Sequence, residues 1–138
     1  MADAVTSQTL SDGDRIAVMK FTNISDGNGE SSVAKVDVSA LAANSAGETP
    51  ALATIEQIWY DIGGMRVALE WNATSNVVAA VLGGSAAAGN VSGYMDFRSF
   101  GGIKNTLASG YNGDIDLTTH GHTNHDHYTI VLQLRKSY

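Results

Sequence analysis

Cysteine is absent from the 138 residues of this chain, and proline occurs once. Without thiols there is no disulfide framework and no cysteine chemistry. Basic residues are scarce: eight Lys and Arg against fourteen Asp and Glu leave a net charge of -6. No run of Lys or Arg can track a phosphate backbone, so nucleic acid is not an expected partner. No stretch reaches the ~20 consecutive apolar residues of a spanning helix, so a membrane is not an expected partner either. The opening MADAVTSQTLSDGD lacks the basic region and apolar run of a secretory signal.

What the chain does have is 43% apolar and 16% charged residues, which suits one globular domain with a sizeable core. Its fifteen glycines suit short strands joined by glycine turns. The stretch IEQIWYDIGGMRVALEW, residues 55–71, is the clearest local pattern. Ile58, Tyr60 and Ile62 form one apolar set, and Val67, Leu69 and Trp71 alternate with Arg66, Ala68 and Glu70. Gly63-Gly64 between them predicts a tight β-hairpin, with Trp59 and Trp71 helping to nucleate the core.

Residues 1–13 are small and polar without period, which predicts an extended arm ahead of a single domain over 14–138. DRIAVMKFTN, residues 14–23, has apolar residues on both faces and reads as an interior or subunit-covered strand. In 33–39, Val36 and Val38 are expected to face inward and Lys35 and Asp37 outward. An Ala-rich linker follows over 40–53, then the central pair. The apolar run 77–82 predicts a buried strand, 83–90 a loop, and 91–98 an alternating strand. A glycine-bearing loop over 100–112 precedes two last strands, 114–119 and 127–135, the second with Tyr128, Ile130, Leu132 and Leu134 on one face. About eight strands and almost no helix signal predict an all-β antiparallel sandwich of jelly-roll type, with a small barrel as the alternative.

Candidate chemistry is sparse. His120, His122, His125 and His127 all fall in TTHGHTNHDHY, the loop joining the last two strands. Alternate imidazoles on an extended segment can bind a transition metal, with other copies on a symmetry axis completing the shell. The alternative is a solvated loop, and no further cofactor is expected. Asp26, Asn28 and Glu30 alternate as in the first half of a calcium loop, but the distal Glu is missing and Asp-Gly and Asn-Gly are turn chemistry. Asp114 and Asp116 share a face, as paired acids of a glycosidase would, or as acids of a solvated strand do. No nucleophile elbow, phosphate loop or dinucleotide fingerprint is present, so an enzyme is not expected. Tyr94, Tyr111, Asn112 and Asp114 would be the candidates if the sandwich were a carbohydrate-binding module. Three sequons begin at Asn23, Asn72 and Asn90 and are read as chance matches.

Four stretches resemble small virion structural proteins of tailed bacteriophages, marine ones especially. They are RIAVMKFTNISDGNGESSVAKVDVSAL (15–41), IWYDIGGMRVALEWNAT (58–74), FRSFGGIKNTLASGYNGDIDLTTHGHT (97–123) and YTIVLQLRKSY (128–138). The resemblance implies a non-enzymatic protein located in the virion, assembled in the host cytoplasm. It implies a capsid decoration (cement) protein bound to the major capsid protein or neighbouring virion proteins, and a homo-oligomer. A neck or tail adaptor, or a tail-tip component, is the alternative within the virion. Such proteins often carry Ser-Gly or similar residues where this chain has Asn124-His125, so the four-histidine loop is a feature of this chain. The contacts expected on this basis are Val5 and Leu10 in the arm and Phe100, Ile103, Leu107 and Tyr111 in the loop.

Overall fold

A computed structural model of the chain describes residues 4–83, 90–107 and 109–138. Nine strands form two antiparallel sheets among these residues: β1 (Ala4–Asp12), β2 (Ile16–Asp26), β3 (Val33–Val36), β4 (Leu52–Gly63), β5 (Arg66–Ala73), β6 (Val77–Gly83), β7 (Asn90–Asp96), β8 (Tyr111–His120) and β9 (Asn124–Ser137). One sheet runs β1-β2-β9-β4-β7 and the other β3-β8-β5-β6. Strand β5 pairs with β6, β4 with β7, β3 with β8 and β2 with β9. That nesting is one long antiparallel ribbon rolled up around its β5–β6 turn, which is the jelly roll. β1 is added outside it.

The period-two pattern is obeyed closely on the inner faces. Ala17 and Phe21 of β2, Ile58 and Ile62 of β4, Val67 and Leu69 of β5, Ile115 and Leu117 of β8, and Tyr128 to Leu134 of β9 fill the space between the sheets. These β-branched and aromatic side chains suit a pleated, covered surface, and their burial is the main force holding the layers together.

The central pair departs from the expected hairpin. β4 and β5 lie in different sheets, so 63–65 is an arch over the end of the sandwich. A two-residue hairpin of the commonest type needs both turn residues at positive φ. Here Gly64 alone adopts it, at 81°, while Gly63 stays in the β4 ladder and Met65 plugs the core at 2% exposure. The tight hairpin is one strand later, between Ala73 and Val77, where Asn76 Oδ1 accepts the Ala73 N–H at 3.0 Å. Trp71 is buried as expected, whereas Trp59 faces outward and is 37% exposed.

Three other expectations are revised. The arm is extended, but 4–12 is hydrogen-bonded along its length to β2 as an edge strand; residues 1–3 lie outside the described residues. Lys35 is buried rather than outward, because a bulge in β3 at that position turns it in. Residues 77–82 form an edge strand, not a buried one, with β5 as its only partner among the described residues. Most of the loop expected over 83–90 lies outside the described residues.

Candidate functional site

The histidines do not converge within the chain. His120 ends β8 on the outer face of the four-stranded sheet, opposite Arg66. His127 stands on the outer face of the other sheet, its ring over Gly63, where a Cβ would come within 2.5 Å of it. His122 lies over Gly29, with its Nδ1 3.3 Å from Thr119 Oγ1. His125 is exposed at a positive φ of 72°. Among the described residues no three His, Cys, Asp or Glu side chains form a group able to hold a metal ion. A shell completed by other copies is therefore a matter for the assembly.

The acids of 26–30 are committed to local structure. Asp26 Oδ1 accepts the backbone N–H and side-chain amide of Asn28, which is turn chemistry. Glu30 turns inward to a buried ion pair with Lys35. On β8, Asp116 Oδ2 accepts from Asn72 and Asn76 at 2.7 and 2.9 Å, and Asp114 Oδ1 accepts the Val38 N–H at 3.1 Å. Burial pushes the Asp114 carboxyl up from its ordinary value, the Val38 N–H opposes this, and the Asp37 and Asp116 charges add to the rise. Both acids stand on the outer face of one sheet as expected, but as structural acceptors. The sequon residue Asn23 is buried and donates to Glu30.

The expected contact residues divide into two groups. Ile103 bridges to Ile55 through two backbone hydrogen bonds of 3.0 and 2.8 Å, and its side chain and that of Leu107 pack on the chain's own core. Val5, Leu10, Phe100 and Tyr111 stay exposed, Phe100 the most at 68%. Every residue of β1 from Ala4 to Ser11 is exposed, so both faces of this strand lack a covering layer.

Two surfaces were not picked out by the sequence reading. The first is the edge strand β6, where Val77, Val78 and Val81 are 42%, 53% and 53% exposed. A continuous apolar run is the same whether a strand is interior or at an edge, so the run alone carries no signal for this. The second is the outer face of the five-stranded sheet, where Trp59 and Tyr94 are cross-strand partners with ring centroids 5.2 Å apart and planes at 26°. Here a signal existed: if Ile58, Tyr60 and Ile62 face in, alternation sends Trp59 and Asp61 out. The sugar-binding set Tyr94, Tyr111, Asn112 and Asp114 is divided between the two sheets and makes no single site.

No family model matches the chain, and no curated protein matches it. Two solved structures of variants of a family 29 carbohydrate-binding module align with it, over 97% and 96% of this chain and 79% of each of those chains. The identity is 7% and the TM-score 0.33 in both. The likeness is too remote to speak for a ligand.

Proposed function

We propose that this chain is a non-enzymatic structural subunit of a tailed-bacteriophage virion, a decoration protein seated between subunits of the capsid shell. The observation that carries the proposal is the β6 edge. An edge with no second strand partner among the described residues, beside three half-exposed valines, is an aggregation hazard in a free monomer, and sheet proteins normally blunt such edges with charge, proline or a covering loop. Here 77–82, VVAAVL, contains neither charge nor proline. Covering each valine contributes about 1 kcal/mol, and each edge hydrogen bond about 0.5–1.5 kcal/mol.

β1 supports the same reading. Residues 4–11 of this second edge are exposed, the apolar Val5 and Leu10 among them, so it too lacks a covering layer. The resemblance of four stretches to small virion proteins supplies the partners: the major capsid protein and further copies of this chain. Closed symmetric contacts would then bury both edges and exclude open-ended pairing.

Val78→Lys with Val81→Lys tests the assignment. Both side chains are half exposed, so the variant should fold as the parent does and lose occupancy on purified particles. A folded variant with unchanged occupancy would contradict a role for this edge.

A further inference from the structure

On the outer face of the five-stranded sheet, we propose a binding site for neutral pyranose sugars, built on the Trp59 ring and the side chains of Asp61, Ser92 and Thr129. It does not depend on the virion reading, since a shell subunit and a free module can both present such a face.

The first support is the ring itself. Trp59 sits in β4 between Tyr94 of β7 and Val131 of β9, and the next outward positions on the three strands are the polar Asp61, Ser92 and Thr129. It is 37% exposed, and Tyr94 stacks against one side of it. The Tyr94 hydroxyl donates to Gln57 Oε1 at 2.5 Å, which fixes the buttress. An indole held on one flank and open on the other is a platform for the C–H face of a sugar ring, large in area and low in ordering cost.

The second support is an asymmetry in hydrogen-bond commitment around the ring. On the Gln57 side the polar groups satisfy one another. Gln133 donates to Glu56 at 3.2 Å, Arg135 pairs with Glu56 at 3.0 Å, and Arg98 with Asp96 at 2.8 Å. On the other side, Asp61, Ser92 and Thr129 have side chains with no partner among the described residues. These three are register partners across β7, β4 and β9, so they form one row with strand spacings of about 4.8 Å. With Trp59, Gly93 and Val131 they line a shallow depression of about 340 Å³. One ring face beside a row of two hydroxyls and a carboxylate matches a pyranose, which offers an apolar face and hydroxyls at its rim.

The third support is charge. Asp61 accepts only, so it selects hydroxyl donors and repels uronic or sialic acids. No Lys or Arg lines the depression to offset it. Neutral hexoses are therefore the chemical class.

The test is a glycan array of neutral hexose oligosaccharides, followed by calorimetry with the best-bound one. Parent protein should bind at micromolar to millimolar concentration. Trp59→Ala should abolish binding, and Asp61→Ala should weaken it roughly tenfold, the loss of one hydrogen bond to a charged group. Arg98→Ala, on the committed side, should leave affinity unchanged. Absence of binding by the parent to any neutral glycan would overturn the proposal. So would an affinity unchanged by Asp61→Ala, a surface change that leaves the fold intact even if Trp59→Ala does not.

Discussion

Lys35 Nζ lies 2.5 Å from Glu30 Oε2, and both side chains are almost wholly buried. The other carboxylate oxygen of Glu30 accepts from the Tyr128 hydroxyl at 2.5 Å and from the Asn23 amide at 2.8 Å. The Glu30 N–H donates to Thr119 Oγ1 at 3.0 Å. The Glu30 carboxylate thus ties β2, β3 and β9 together and its backbone N–H adds β8, at the crossing from one sheet to the other. A buried charge is tolerated only when paired and hydrogen-bonded, and Glu30 meets both conditions.

Glu30→Ala should therefore cost about 3–5 kcal/mol, because it strands the Lys35 charge in the interior. Adding Lys35→Met should recover part of that loss. Denaturant unfolding of the parent, both single variants and the double variant measures the coupling. Additive costs would show that the pair does not act as one unit.

Gly113 has φ of 87°, and a Cβ there would lie 2.0 Å from the Ala51 carbonyl oxygen and 3.0 Å from Val38 Cγ2. Gly113→Ala should cost about 3 kcal/mol or more, as strain and collision act together. Gly47 has a similar φ of 83° but open space around it. Gly47→Ala should cost only about 1 kcal/mol. Equal losses in thermal unfolding would contradict the close approach at Ala51.

Burial raises the Asp114 carboxyl above its ordinary value of 3.8, partly offset by the Val38 N–H. The unfolded chain ionises this group more readily than the folded one, so at neutral pH the ionised form opposes folding. That opposition fades as pH falls through the raised folded value and is gone below 3.8. Asp114→Asn keeps an acceptor for the Val38 N–H and should raise the unfolding midpoint at neutral pH. The gain should shrink to nothing in acid; a gain independent of pH would contradict the burial argument.

The exposed Asp96 behaves oppositely. Hydrogen bonds from the Arg98 side chain, then from its backbone N–H, hold the carboxyl at about 2 against an ordinary 3.8. Any support this pair gives the fold is complete above 3.8 and is lost as pH falls through about 2. Carboxyl titration by nuclear magnetic resonance should show the low midpoint, and Arg98→Ala should return it toward 3.8. An unchanged midpoint in the variant would remove Arg98 as the cause.

Alternation made most of the strands and their inner faces legible. Ile58 and Ile62, Val67 and Leu69, and Ile130 and Leu132 are buried where period two puts them. Pairing was less legible. The apolar faces of β4 and β5 look the same whether the strands lie side by side or face each other across a core, so the arch at Gly64 read as a hairpin. Lys35 was misplaced because a one-residue bulge reverses facing without changing composition. The exposed valines of β6 were hidden by an apolar run that suits an interior strand equally well. Trp59 was hidden by size, since a large indole is expected in the core, although its neighbours' alternation already pointed it outward.

A decoration protein of the proposed kind is present on each particle in numbers set by the shell lattice. Quantitative mass spectrometry of purified particles should find this chain at a count comparable to the major shell protein. A count matching a single ring would place it in the neck or tail and contradict the decoration role. Absence from particles would contradict the virion assignment altogether.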